Sequence, residues 1–61
     1  MDYTENAWLA FEALEKLIIK DFNNYGEADF ADRLEEVVLC FALSDDEIDQ
    51  VKWLYDNENY Y

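Results

Sequence analysis

Apolar residues recur every three or four positions through the first part of the chain. Ala7, Phe11, Leu14, Ile18, Phe22 and Tyr25 fall on one stripe of a helix. This spacing predicts a helix over residues 4–24. Asp2 or Thr4 can offer a side-chain oxygen to its first free N–H groups. Asn23-Asn24-Tyr25-Gly26 ends it, Gly26 being suited to the left-handed position just past a helix. A second stripe, Phe30, Leu34, Val37 and Phe41 with Ala31 and Val38 on its flank, predicts a helix over 28–42. Asp29 in its first turn favours the positive end of the helix dipole.

The sharpest local signal opens a third helix. Ser44-Asp45-Asp46-Glu47 is a capping box, in which Ser44 accepts from the Glu47 backbone N–H while the Glu47 side chain reaches back. Leu43 and Ile48 stand where a hydrophobic staple places its two apolar residues. The helix then runs to about Asp56 with Ile48, Val51, Leu54 and Tyr55 facing inward. Asn57-Glu58-Asn59-Tyr60-Tyr61 is expected to fray unless its tyrosines dock. Only Val37-Val38-Leu39-Cys40-Phe41 has any strand character. The pattern therefore predicts an all-α, antiparallel three-helix domain over residues 1–61. Its predicted core is Phe11, Leu14, Ile18, Phe30, Leu34, Val37, Phe41, Ile48, Val51 and Tyr55.

Charge changes what this small fold implies. Sixteen Asp and Glu stand against four Lys and Arg, a net charge of −12 on 61 residues. Disordered acidic chains are poor in apolar and aromatic residues, but this one is 52% hydrophobic and 18% aromatic. The expected object is a folded domain with a dense negative field, whose complement is a basic surface. Basic protein surfaces mostly serve to hold nucleic acid. The same field repels nucleic acid and anionic membranes, so direct binding to either is not expected.

No apolar run approaches the ~20 residues that cross a bilayer, and Met1-Asp2-Tyr3-Thr4-Glu5 lacks the features of a secretory signal. The single Cys40 cannot form an intrachain disulfide, and a reducing cytoplasm is the expected compartment. A chain this short buries a modest share of its surface, so a weak homodimer or a bound partner is the expected supplement.

Catalysis finds little to use. His is absent, and Ser44 is explained as a helix cap. Cys40 has no His partner and reads as a buried structural thiol. Neither enzyme activity nor a cofactor is expected. One metal pattern stands out: Asp21, Asn23, Tyr25, Gly26, Glu27, Asp29 and Asp32 occupy positions 1, 3, 5, 6, 7, 9 and 12 of an EF-hand-like loop. Tyr25, Ala28 and Asp32 depart from that pattern. A helix–Gly–helix turn in an acidic chain is the simpler reading, with calcium binding over Asp21–Asp32 as an alternative.

The helical wheel supplies a binding surface. At roughly 100° per residue, Trp53 lies opposite Ile48, Val51 and Tyr55, beside Asp46, Asp49 and Asp56. Trp8 and Ile19 similarly leave the main stripe of the first helix, near Glu12 and Glu15. Leu39 shares the outer face of the second helix with Asp32 and Glu35. Trp and Tyr dominate protein–protein hot spots, which makes Trp53, and Trp8 after it, candidate anchors. Glu12 with Lys16, Asp29 with Arg33 and Asp49 with Lys52 have helical pair spacing and leave most acids uncompensated. A row of carboxylates along helices two and three can approximate the line charge of double-stranded DNA, one charge per about 1.7 Å of axis. The candidate partner-binding residues are Asp32, Glu35, Glu36, Asp45, Asp46, Asp49, Trp53 and Asp56.

Small size, many acids, many aromatics and the absence of His and Pro together resemble small phage-encoded anti-defence proteins, the anti-CRISPR and anti-restriction inhibitors that imitate DNA. The resemblance is one of composition across the whole chain. It implies a non-enzymatic inhibitor that blocks the nucleic-acid-binding site of a CRISPR effector or restriction enzyme in the bacterial cytoplasm. Asp2-Tyr3-Thr4-Glu5 followed by an amphipathic helix is similar to the start of nuclease-colicin immunity proteins, which implies, as the alternative, inhibition of a basic nuclease. The Tyr-Tyr-Pro segment of that family is missing, since Tyr60-Tyr61 stands without the proline.

Overall fold

The computed structural model describes residues 3–58, in three helices: α1 (Glu5–Tyr25), α2 (Phe30–Phe41) and α3 (Asp45–Glu58). Val37–Phe41 is helical throughout, not a strand. Each helix begins where a short oxygen-bearing side chain can satisfy its free N–H groups. The Thr4 hydroxyl accepts from the Ala7 N–H at 3.0 Å, and Asp29 accepts from the Asp32 N–H at 3.3 Å. Ser44 and Glu47 close the capping box reciprocally, each backbone N–H donating to the other's side chain at 3.2 Å. Leu43 and Ile48 both belong to the apolar cluster beneath it.

Two of the ends need left-handed backbone. Gly26 takes φ 78° and donates its N–H to the Phe22 carbonyl at 2.9 Å. Ala42 takes φ 51° at the end of α2, where the Leu43 N–H returns to the Val38 carbonyl at 3.1 Å and Leu43 is buried. A Cβ disfavours that conformation. Ala42 is exposed, so glycine there loses little packing. Ala42→Gly is expected to stabilise the domain by about 0.5–1 kcal/mol, after the greater freedom of glycine in the unfolded chain is counted. Thermal denaturation followed by circular dichroism reads this as a rise of a few degrees. A fall would mean that this loop does not hold its left-handed turn.

α1 is the spine. Both α2 and α3 pack along it, and they scarcely pack on one another. The Asn6 amide donates to the Phe41 carbonyl at 3.0 Å, while Asp21 meets Arg33 at the other end. These contacts join opposite ends of α1 and α2, as two helices of opposite sense do. Thr4 ties the start of α1 to α3 through Gln50 and Glu47. Phe30 of α2 and Tyr55 of α3 bring their rings to 4.6 Å.

The buried core is Ala7, Ala10, Phe11, Leu14, Ile18, Leu34, Val37, Leu43, Val51 and Leu54. Phe30, Phe41, Ile48 and Tyr55 pack against it only partly buried. The stripe expected along α1 stops short of its end, where Phe22 is 53% and Tyr25 75% exposed. Length explains this. At 1.5 Å per residue α1 spans about 32 Å, against about 18 Å for α2 and about 21 Å for α3, so its last turns outrun their partners. Cys40 also departs from expectation and is exposed. α2 is covered mainly by α1, with the Phe30–Tyr55 contact joining it to α3, and Cys40 and Leu39 lie off the covered side. Asp2 and the Tyr60–Tyr61 tail fall outside the described residues.

Candidate binding surface

The carboxylates singled out by the sequence share one property: Asp32, Glu35, Glu36, Asp45, Asp46, Asp49 and Asp56 are all exposed. Some have local work. Asp45, Asp46 and Glu47 fill the first turn of α3, where the helix dipole favours negative charge. Glu36 accepts from Arg33 at 2.8 Å. Glu47 is committed to the fold. It accepts from the Thr4 hydroxyl at 2.6 Å and from Ser44, and those bonds, Thr4 first, hold its carboxyl below the usual glutamate range.

Arg33 is placed differently from the sequence expectation. Its guanidinium forks onto both oxygens of Asp21, Nε to Oδ2 and Nη2 to Oδ1, each at 2.7 Å, rather than onto Asp29. Asp29 is occupied as the α2 cap. The expected pairs Glu12–Lys16 and Asp49–Lys52 do not close to ion-pair distance. Asp21 is buried with 6% exposure. The Arg33 hydrogen bonds are the main cause of its lowered pKa, with partial burial working against them. Arg33 is raised further above its ordinary value by the same bonds.

This pair gives the fold an acid dependence of definite sign. A depressed carboxylate contributes stability above its unfolded pKa, here near 3.8, and loses that contribution as pH falls through its lower folded value. Wild type is expected to melt higher than Arg33→Gln at neutral pH, and the gap should shrink when both are melted well below pH 3.8. A gap of equal size at both pH values would mean the Asp21–Arg33 fork adds nothing to stability.

The same fork counts against the EF-hand-like reading. Asp21, the first position of that loop, has both oxygens on Arg33, and Asp29 is turned to the α2 backbone. Among the described residues no group of three or more acidic or thiol side chains gathers to hold a metal ion. What the loop does form is an open pocket lined by Asp21, Tyr25, Glu27, Asp29, Asp32 and Arg33.

The tryptophans are not the free anchors the wheel suggested. Trp53 is half-buried and packs against the core cluster. A wide indole reaches apolar neighbours from the flank of a helix even where its Cα faces outward. Trp8 is also half-buried, stacked on Tyr3 at 5.6 Å and tilted against Phe11 at 5.3 Å. Among the described residues the large apolar side chains that stand in solvent are others: Tyr3, Leu9, Ile19, Phe22, Tyr25 and Leu39. Leu39, 76% exposed, does share the outer face of α2 with Asp32 and Glu35, as the wheel indicated. The exposure of Phe22 and Tyr25 was hidden by their place in the core stripe. The relative lengths of the helices were the signal that could have found it.

Among the described residues no helix is long and apolar enough to cross a membrane. Comparison of the chain with models of known protein families, with curated protein sequences and with solved structures finds no match.

Proposed function

We propose that this chain is a non-enzymatic inhibitor that lays its acidic face on the nucleic-acid-binding site of a bacterial defence complex, a CRISPR effector or a restriction enzyme. The observation that carries the reading is the disposition of charge. A net −12 on 61 residues is displayed through carboxylates that stay exposed along α2 and α3. Self-repulsion of this size opposes folding, and among the described residues the expected pairs Glu12–Lys16, Asp29–Arg33 and Asp49–Lys52 do not form to relieve it, Arg33 engaging Asp21 and Glu36 instead. An acidic surface that is costly to keep has a use in meeting a positive one. Complementary fields accelerate encounter and fix orientation, while exposed apolar side chains supply contacts that charge alone does not.

An immunity-type inhibitor of a single basic nuclease is the other reading that the charge fits. The calcium reading would require Asp21 to leave its fork with Arg33. The two inhibitor readings part in a capture experiment. Tagged protein retrieved from a host with active defence systems is expected to bring down a DNA-binding effector or restriction complex. Retrieval of a lone nuclease that binds its substrate normally but no longer cuts would replace the mimic by the immunity-type inhibitor.

A further inference from the structure

We infer that the overhanging end of α1 is a docking surface for an arginine side chain on the basic partner, with Tyr25 as its platform and Phe22 as its apolar flank. The inference rests on the acidic-inhibitor reading above and names the contact through which that reading would act. It begins from a helix end left largely uncovered among the described residues. Phe22 and Tyr25 sit one turn apart at 53% and 75% exposure, past the point where α2 and α3 cover α1. Neither side chain belongs to the apolar core cluster of the described residues.

The character of the occupant follows from charge. Tyr25 opens onto the pocket that also holds Glu27, Asp29 and Asp32. Arg33, the cation lining that pocket, is engaged by Asp21 and Glu36, so it does not neutralise the carboxylates opposite. A ligand entering here meets an aromatic face beside a negative field, on a molecule whose whole charge is −12. A guanidinium suits both at once. Its planar face stacks on tyrosine, and its edge donates to carboxylates in a fork. An ammonium offers only a point charge. The apolar stem of arginine can lie along Phe22.

The test uses the full chain and a defined probe, a hexa-arginine peptide with blocked ends, followed by amide chemical shifts at low salt. Saturable shifts centred on residues 22–33 are expected. Tyr25→Ala and the pair Glu27→Gln, Asp32→Asn should each weaken binding at least fivefold. Asp46→Asn with Asp49→Asn should cost less than half as much, and hexa-lysine should bind more weakly than hexa-arginine. All of these positions are exposed, and the amide spectrum of each variant verifies its fold. Shifts centred on α3 or spread evenly, with Tyr25→Ala binding unchanged, would overturn the docking surface while leaving an acidic, cation-seeking face in place. Absence of any binding at low salt would overturn both.

Discussion

Leu14→Ala is expected to leave the domain largely unfolded at physiological temperature. Leu14 has no exposed surface and lies at the middle of α1, the helix on which both others pack. Truncating such a leucine costs about 2–5 kcal/mol through lost burial and the cavity left behind. A chain of this length has a total stability of only about 3–9 kcal/mol on the usual per-residue scale. No disulfide among the described residues offsets the loss, Cys40 being free. The melting midpoint should fall by at least about 10 °C, given the small unfolding entropy of a domain this size. Leu39→Ala is the matched control. Leu39 is 76% exposed, and its truncation should stay within about 0.5 kcal/mol of wild type. Equal effects from the two leucines would mean that α1 is not the spine of the core.

The second large effect concerns association. Reversing Asp46, Asp49 and Asp56 to lysine changes the net charge from −12 to −6, each reversal adding two. All three side chains are exposed and none makes an ion pair that the fold needs. Asp46 does sit in the first turn of α3, so part of a helix-dipole benefit is lost there. With the captured partner, the association rate is expected to fall at least tenfold at low ionic strength, with a smaller change in dissociation. The difference should narrow as salt approaches and exceeds 0.1 M, where the screening length drops to about 10 Å. Stopped-flow or surface-based kinetics over a salt series measures both. Unchanged association in the triple variant would remove α3 from the contact surface and leave Asp32, Glu35 and Glu36 of α2. Trp53→Ala belongs to a different class of effect. Because the indole packs on the core cluster, its loss is expected to lower the melting temperature rather than act through the partner alone.

Most of the fold was legible because its signals are local. The stripes of α1 to α3, the Thr4 cap, the capping box of Ser44 and Glu47 and the left-handed Gly26 all depend on residues within one turn of each other. What escaped depends on how elements meet. Arg33 had a helical-spacing partner in Asp29 but chose Asp21, twelve residues away on another helix. Pair spacing along one helix cannot see that choice. Cys40 read as buried because its neighbours are apolar, yet it lies off the side of α2 that α1 and α3 cover. Phe22 and Tyr25 continued a correct stripe beyond the helices that could cover it. Ala42 adopts a conformation that sequence rules assign to glycine, so nothing in its identity announced the turn. For the candidate surface the exposure of the acids was legible, since an exposed carboxylate is the default state of that side chain. The partial burial of Trp8 and Trp53 was not legible, since exposure of a large ring is decided by tertiary packing.

We propose above all that the acidic face stands in for nucleic acid. The most direct measurement of this is equilibrium competition on the captured partner. A fluorescently labelled duplex is held on that partner, and its anisotropy is followed as this protein is added. Occupation of the nucleic-acid site predicts complete release of the duplex, with a midpoint that moves upward in proportion as the DNA concentration is raised. A duplex that stays bound while the partner is saturated with this protein, in a ternary complex, would contradict the claim.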